Sequence, residues 1–512
     1  MGFGHSQAPL LLKAIIGLFL SLLSYVFCLT VYRLYFHPLA RYPGPTLCAV
    51  SRLPFLHYLQ SGHLVQKTHE LHCKYGEIVR LAPNELSFTN PQAWQDIYNR
   101  RPGHDPMPMN PIWQAKSANG ASSIVDASVE DHARHRKALA PAFSEKSVRE
   151  REPILQRYIN LFIFKLRRRI YDSKTAVDLS EFFTFTTFDI LGALAFSEDF
   201  KSLTTESCPL STLTYSILRA TTLRTGLRFH PFLAPFVGVL NPQKTYQEAL
   251  HLFHQNTSKV HRRLEKPMPQ ADIMGHVLDS GKLSIPEIES TFNILTLAGS
   301  DTVASLLTSM TSQLLRNPTK LRRLVAEIRA TFAAEADITM KAINQLPYLD
   351  ATITESFRLD PPAPGQNPRL VPGPGATICG HYIPGGTFVS ISQFSANRSP
   401  QNFADPDAFI PERWLPSHSP FYIPEASSDP PVAFATYAAD RKEALQPFSV
   451  GPRACLGSKF AHVEIRLVMC RLLWAFDLQA EGELRPFEEQ KTYSLWERGP
   501  MPVKLVHAVR KA

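Results

Sequence analysis

The hydrophobic pattern of the first 36 residues differs from that of the rest of the chain. Ala14 to Tyr32 include no charged side chain, and as a helix this run of 19 residues would be about 28 Å long, close to the thickness of a bilayer core. The run continues into bulky side chains and does not end at a small-residue cleavage site, which favours a retained anchor over a cleaved signal peptide. We therefore predict a membrane anchor over residues 1–36, with its helix at about 14–32.

The charges beside this run predict the side of the membrane on which the main body lies. More basic residues follow the run than precede it: Arg33, Arg41 and Arg52 against His5 and Lys13. Because basic flanks tend to stay in the cytosol, we expect a single-pass protein whose body faces the cytosol. Residues 37–50 are rich in proline and are predicted to form a stiff linker. The sequons at Asn256 and Asn397 would then stay unmodified.

Beyond the linker the pattern is that of one large body, predicted to span residues 51–512. Its longest helical stretch begins at a capping box from Ser284 to Glu287 and continues to Asn317, about 48 Å of helix. Shorter helices are predicted at about 347–359 and 457–476, and strand-like segments at 78–89 and 376–391. The predicted fold class is mainly α with a small β subdomain.

Composition and charge narrow the classes of function. With 44% hydrophobic and 19% charged residues, the chain is folded and not disordered. The net charge of +9 (54 basic minus 45 acidic residues) suits an acidic protein partner or an anionic membrane surface, and it does not predict nucleic-acid binding. The seven cysteines include no C-x-x-C pair, so neither a disulfide framework nor a zinc site is indicated.

One cysteine, Cys455, lies in a segment with a chemical pattern, F-x-x-G-x-R-x-C-x-G. Gly451 and Gly457 permit tight turns and a close approach to a flat ligand. A helix is predicted directly afterwards, and its free N–H groups, together with Arg453, favour a thiolate. Phe448 could cover the sulfur. The whole pattern favours an axial iron ligand over a structural cysteine buried in a turn.

This segment resembles the haem-binding signature of the cytochrome P-450 superfamily. Three further segments resemble the family's motifs in the family's order: Ala298–Thr302 (A-G-x-D/E-T), Glu355–Arg358 (E-x-x-R) and Phe409–Trp414 (P-E-R-F/W). The anchor, linker and length match the eukaryotic microsomal members, so the resemblance covers the entire chain. Residues 32–38 and 368–380 resemble filamentous-fungal members of secondary metabolism.

The resemblance implies a P-450 fold preceded by one transmembrane helix, and haem b as the cofactor with Cys455 as its axial ligand. Haem propionates are carboxylates, and their implied partners are Arg453, Arg369, Arg136 and His132. The family commonly has W-x-x-x-R where this chain has His132 to Arg136, so an imidazole replaces the indole. A solvated basic face is the alternative interpretation of this segment.

Two further sites follow from the resemblance. Asp301 and Thr302 would deliver protons for oxygen activation, and the small residues 298–300 would let the helix pass close to the cofactor and permit a local bulge. The alternative is a Thr302 that bonds only its i−4 carbonyl. Glu355, Arg358 and Arg413 would form a buried structural cluster, and the alternative is a solvated helix pair. The resemblance thus implies catalytic roles for Asp301 and Thr302 and structural roles for Glu355, Arg358 and Arg413.

The implied function is haem-thiolate monooxygenation of a lipophilic small molecule by O2 in the endoplasmic reticulum membrane. Electrons would come from NADPH-cytochrome P-450 reductase, with cytochrome b5 as a second candidate donor, because the chain has no room for a flavin domain. A basic proximal surface would steer the reductase: Arg134, Lys137, Arg149, Lys459 and Arg466. Polar Gln366 and Asn367 in the expected pocket favour an oxygen-bearing terpenoid or polyketide, for hydroxylation or epoxidation.

Two alternatives stay open at this point. One is an enzyme of the same family that rearranges a hydroperoxide without O2 or reductase, and the retained pair Asp301 and Thr302 argues against it. The other is a non-enzymatic haem-binding membrane protein. NADPH-dependent turnover with reductase would distinguish both from a monooxygenase.

Overall fold

The N-terminal helix is longer than the pattern predicted. The computed structural model describes residues 8–100, 106–114, 116–173, 176–230, 243–265, 272–419 and 434–508. Helix α1 is Ala8–Val31 and continues as a π-helical turn, Tyr32–Phe36. The apolar stretch Leu11–Phe36 has 26 residues, enough to cross a bilayer, and its side chains are mostly exposed. It is a candidate membrane span.

Helices make up most of the described body. In chain order they are α2 (Thr46–Val50), α3 (Leu53–Ser61), α4 (Leu64–Tyr75), α5 (Val129–Leu139), α6 (Glu145–Glu150), α7 (Glu152–Ser173), α8 (Leu179–Phe196), α9 (Ser202–Thr205), α10 (Pro209–Phe229), α11 (Gln243–Glu265), α12 (Ile273–Ser280), α13 (Ile285–Arg316), α14 (Pro318–Thr331), α15 (Pro347–Leu359), α16 (Gln393–Asn397), α17 (Phe434–Tyr437) and α18 (Ser458–Ala475). The helices predicted at 284–317, 347–359 and 457–476 are therefore confirmed as α13, α15 and α18.

The strands are short and form four small sheets. The largest has the order β1 (Ile78–Ala82), β2 (Glu85–Phe88), β7 (Phe388–Ile391), β4 (Arg369–Leu370), and only its β2–β7 pair is parallel. The others are β3 (Val177–Asp178), β11 (Pro502–His507) and β8 (Phe476–Ala480); β5 (Ala376–Ile378) with β6 (His381–Ile383); and β9 (Thr492–Tyr493) with β10 (Leu495–Trp496). The two predicted strand regions are confirmed, whereas β3, β4 and the C-terminal strands β8 to β11 were not predicted. Of these, β3, β4, β9 and β10 have only two residues each, too few to show an alternation.

The core is built around α13, which packs against α8, α15 and α18. Helix α8 is long and apolar enough to resemble a membrane span, but 83% of its apolar window is buried, so it is a core helix. The first turn of α13 is held by the predicted capping box, in which the Ser284 N–H donates to the Glu287 carboxylate at 2.9 Å.

The predicted bulge in α13 is not observed, because the helix is continuous from Ile285 to Arg316. The glycine of the small-residue segment has another use. A Cβ at Gly299 would lie 3.0 Å from a methyl group of Leu191, so this glycine lets α13 approach α8 closely. The close approach is between two helices and requires no local opening of the backbone.

Candidate active site

Cys455 lies in a loop that ends where α18 begins. Its backbone N–H donates to the Phe448 carbonyl at 2.8 Å, which closes the loop. Its side chain is exposed, and the backbone N–H groups of Gly457 and Ser458, at the start of α18, lie close enough to the sulfur to lower its pKa. Partial desolvation by the surrounding chain raises the pKa of the Cys455 thiol, while these two amides and Arg136 oppose the rise. The helix N-terminus therefore faces the sulfur as the sequence predicted.

The two glycines that flank this cysteine have different roles. Gly451 has φ +78°, and a Cβ there would lie 2.2 Å from the Tyr98 carbonyl oxygen. It therefore lets the loop contact another part of the chain. Gly457 has a negative φ, and a Cβ there would lie 3.8 Å from the Cys455 sulfur, an ordinary contact distance. Of the two glycines, only Gly457 lies beside the sulfur, where the sequence predicted a close approach to a flat ligand.

Phe448 packs inside the protein, behind the cysteine loop. Its ring centroid lies 5.2 Å from that of Phe357 and 5.1 Å from that of His462. These aromatic contacts anchor the first residue of the loop to α15 and α18.

A cationic cavity of about 510 Å³ lies beside the cysteine loop. All four predicted propionate partners line it: Arg136, Arg369, Arg453 and His132. Arg136 donates to the Ala454 carbonyl at 2.6 Å and Arg453 to the Ala127 carbonyl at 2.6 Å, which fixes both side chains. The structure thus places the four predicted residues, which come from three distant segments, around one cavity.

The electrostatics of this cavity show an excess of positive charge. Burial and then Arg453 lower the pKa of His132 to about 4, so the imidazole is neutral at pH 7. Burial and then Arg369 lower the pKa of Arg453 to about 10. Within the described ranges, no carboxylate forms a salt bridge with Arg136, Arg369 or Arg453, and the buried Nε of Arg369 has no hydrogen-bond partner.

These observations fit haem b. A ligand with two carboxylates would supply the missing negative charge, and the orphaned Arg369 Nε is a donor ready for one of them. A sulfur with two backbone N–H groups close enough to lower its pKa is suited to be an anionic iron ligand. These residues therefore match both the iron and the propionates of haem b.

The catalytic pair predicted on α13 is split between two environments. Ala298 is exposed and Thr302 is half-buried, so one face of this buried helix is open. The Thr302 hydroxyl donates to the Ala298 carbonyl at 2.7 Å, which is the local bond of the alternative interpretation. The donated hydrogen leaves the lone pairs of the Thr302 oxygen free to accept a hydrogen bond from a water or a ligand.

Asp301 is fully buried, and its partner is Arg498. The Nη2 of Arg498 lies 2.6 Å from Asp301 Oδ1, and its Nη1 donates to the Asp301 carbonyl at 2.7 Å. Burial raises the pKa of Asp301, and the guanidinium opposes the rise. No sequence pattern singled out Arg498, which is 197 residues away along the chain.

Comparison with known proteins decides the family. The cytochrome P450 family model matches residues 43–505. The chain belongs to the cytochrome P450 family. Cytochrome P450 monooxygenase astJ of Aspergillus oryzae is 38% identical over 93% of each chain, and cytochrome P450 monooxygenase lcsI of Purpureocillium lilacinum is 39% identical over 95% of this chain and 92% of its own. Averantin hydroxylase of Dothistroma septosporum is 35% identical over 95% of this chain and 90% of its own. The similar proteins are fungal monooxygenases of secondary metabolism, as predicted.

The charge cluster of this P450 is buried. Glu355, Arg358 and Arg413 have side chains with 0% exposure, and the Glu355 carboxylate lies 2.7 Å from Arg358 and 3.2 Å from Arg413. Two further members were not predicted: Asp440, 2.6 Å from Arg413, and Trp414, whose indole N–H donates to Glu355 at 2.8 Å. The alternative of a solvated helix pair is thus wrong for these side chains.

The basic surface expected for a redox partner is largely neutralised. Three of its five members form salt bridges: Arg134 with Asp131 and Glu287, Arg149 with Glu145, and Arg466 with Asp350. Only Lys137 and Lys459 have no salt bridge among the residues that the structure describes. The acidic partners of the three arginines lie on neighbouring turns or on other elements, so a count of basic residues along the sequence overstated the positive charge of this surface.

Proposed function

We propose that this P450 inserts one oxygen atom of O2 into a lipophilic small molecule, with electrons from NADPH-cytochrome P-450 reductase. The observation that carries the proposal is the pairing of Cys455, with two backbone N–H groups on its sulfur, and a neighbouring cavity of unneutralised arginines. Bound haem would supply the activation of O2. Cytochrome b5 is a second candidate electron donor.

The residues around the cavity would hold the cofactor through its carboxylates. Arg136, Arg369 and Arg453 would donate to the propionates, and the arginines that already bind backbone carbonyls would need no rearrangement of the loop. His132 is neutral and can donate one hydrogen bond without adding charge. Two bound carboxylates would offset the repulsion from Arg369 that, after burial, lowers the pKa of Arg453.

Two residues of α13 would manage protons. Thr302 would hold a water at its oxygen, since its own hydrogen is engaged by the Ala298 carbonyl. Asp301 would take and release a proton at its carboxylate, because burial raises its pKa above the ordinary value of an aspartate while Arg498 opposes the rise. An acid beside an alcohol on one helix is the arrangement expected for delivering protons to the oxygen that leaves as water.

The substrate class that we propose is a terpenoid or polyketide, for hydroxylation or epoxidation. The fungal relatives support a secondary metabolite, and one of them is named a hydroxylase. Gln366, expected to contact substrate, instead accepts from Ser390 at 3.1 Å and is turned toward β7, whereas the Asn367 side chain is exposed. Metabolite profiles of the native host with and without this gene would identify the substrate.

The cysteine assignment is tested by two matched variants. Cys455→Ala should abolish the red-shifted Soret band of the ferrous–CO form, and Cys470→Ala, in the core of the neighbouring helix α18, should keep it. A Cys455→Ala protein that retained the band would refute the proposal. NADPH consumption by the wild-type protein with reductase separates a monooxygenase from a hydroperoxide-rearranging enzyme and from a non-catalytic haem protein.

We also propose that the protein is a single-pass protein of the endoplasmic reticulum with its body in the cytosol. The native sequons cannot test this, because Asn256 and Asn397 are both buried. Lys282 is exposed, and Lys282→Asn would create the sequon N-L-S with Leu283 and Ser284. A cytosolic body predicts no glycosidase-sensitive mobility shift for this variant, with Lys282→Gln as its control. A shift confined to Lys282→Asn would place the body in the lumen.

A further inference from the structure

Arg498 joins the segment after β10 to helices α13 and α8 at one buried carboxylate. It lies just after β10 and binds Asp301 of α13 through both its side-chain oxygen and its backbone carbonyl, at 2.6 and 2.7 Å. Its Nη2 also donates to Thr184 Oγ1 of α8 at 3.1 Å. The side chain of Arg498 is 3% exposed and that of Asp301 is 0% exposed. Two hydrogen bonds from one guanidinium to the same residue fix the orientation of that residue and also stabilise its negative charge.

The ion pair leaves one oxygen of the carboxylate unused. Asp301 Oδ2 accepts no hydrogen bond from the described residues, and the Nε of Arg498 donates none. The Tyr215 hydroxyl of α10 comes near enough to lower the pKa of Asp301 without forming a hydrogen bond of good geometry. Arg498 therefore occupies Oδ1 and leaves Oδ2 as the atom that can carry a proton.

Arg498 is itself held in place by its neighbours. Glu497, the preceding residue, forms a salt bridge with Arg219 of α10 at 2.5 Å, and Arg219 lies over the Tyr493 ring at 5.1 Å. The buried Trp496 donates to the Pro361 carbonyl at 2.8 Å. These contacts tie the segment from β9 to Arg498 to α10 on one side and to the chain after α15 on the other. The guanidinium is thus presented to α13 from a rigid support.

We propose that Arg498 is the positioning residue for the Asp301 carboxylate, and that it sets which oxygen of Asp301 takes and releases the proton. The proposal rests on the proposed function, in which Asp301 delivers protons. A carboxylate that is fully buried without a counter-ion keeps its proton. The guanidinium makes the ionised form accessible, so that a proton leaving Oδ2 can be replaced by another without a large change of free energy. The side-chain hydrogen bonds of Arg498 are to Asp301 and Thr184, so it would act through the Asp301 carboxylate.

Two variants separate the charge of Arg498 from its shape. Arg498→Met removes both, whereas Arg498→Lys keeps the charge and one donor. Arg263→Met is the matched control, because Arg263 forms a comparably buried salt bridge with Asp272 at 2.5 Å that does not involve α13. Asp301→Asn shows the full effect of losing the acid. All four are compared with the wild-type protein in membranes with reductase and NADPH.

The first measurement is how consumed O2 divides between water and hydrogen peroxide, which needs no identified substrate. We expect the water-to-peroxide ratio to fall about tenfold in both Asp301→Asn and Arg498→Met, because a general acid that is removed or displaced loses most of its effect. Arg498→Lys should recover a large part of the ratio, and Arg263→Met should match the wild type. An Arg498→Met protein with the wild-type ratio, or an equal fall in Arg263→Met, would overturn the proposal.

The second measurement does not depend on turnover. The infrared carboxylic-acid band of Asp301, isolated by subtraction of the Asp301→Asn spectrum, should grow in Arg498→Met and stay near wild type in Arg498→Lys and Arg263→Met. An unchanged band in Arg498→Met would overturn the proposal even if the ratio fell. A wild-type protein that consumes no NADPH would refute the proposed function instead, and the infrared result would still decide whether Arg498 controls the carboxylate.

Discussion

Removal of Arg413 should destabilise the protein strongly, and the structure indicates by how much. Its guanidinium lies 2.6 Å from Asp440 and 3.2 Å from Glu355, and it also donates to the Ala404 carbonyl at 3.0 Å. In Arg413→Met, Glu355 keeps Arg358 as a partner, whereas Asp440, whose side chain is 1% exposed, loses the one salt bridge that it forms with the described residues. Breaking a buried ion pair in this way costs about 3–5 kcal/mol.

The neighbouring Arg441→Met is the control for this prediction. Arg441 directly follows Asp440, the partner of Arg413, but its salt bridges to Glu77 and Glu443 are 3.6 Å long and partly exposed. Such pairs contribute about 1 kcal/mol or less. Urea unfolding in one detergent, followed by tryptophan fluorescence and circular dichroism, would compare the free energies of unfolding, and haem content would be measured in parallel. An Arg413→Met protein within about 1 kcal/mol of Arg441→Met would refute the argument.

Three further predictions address the catalytic helix, the cysteine loop and pH. Thr302→Ala should keep haem content but release several times more peroxide per NADPH, as measured by a peroxide assay, whereas Thr308→Ala, which loses the same kind of i−4 bond (2.7 Å), should not. Gly451→Ala should cost at least about 2 kcal/mol more unfolding free energy than Gly120→Ala, since both have positive φ but only the first meets a backbone oxygen, and equal costs would contradict the clash. Burial lowers the pKa of His72 from 6.5 to about 4, so the unfolded chain binds a proton at a higher pH than the folded chain does. The free energy of unfolding should therefore decrease as the pH falls from 6.5 to about 4. In His72→Gln, urea titrations should show about 3 kcal/mol less of this decrease, and an equal decrease in both proteins would show that His72 is not responsible.

Local chemistry was predictable because it is encoded within a few residues. The capping box at Ser284 and Glu287 fixed the start of α13, and proline and glycine marked the limits of α15 and α18. The segment around Cys455 predicted that a helix N-terminus would face the sulfur. Hydrogen bonds over three or four positions and periodic apolar residues are short-range interactions, and a single sequence displays them directly.

The resemblance brought together residues that no local pattern connects. His132, Arg136, Arg369 and Arg453 come from α5, β4 and the cysteine loop, and they meet at one cavity. Their common cofactor is a reason for them to converge, and that reason lies in the family pattern and not in the spacing along the chain.

The tertiary structure alone decided the partners of these groups. By itself the sequence determined the apolar N-terminal helix, the long helices and the turn of the cysteine loop, all of which depend on neighbours in the chain. It did not pair Asp301 with Arg498, did not place Tyr98 against Gly451, and did not show that acidic side chains neutralise Arg134 and Arg466. Those contacts join segments more than 100 residues apart. A buried charge or a crowded glycine is defined by what packs against it, and packing exists only once the chain has folded.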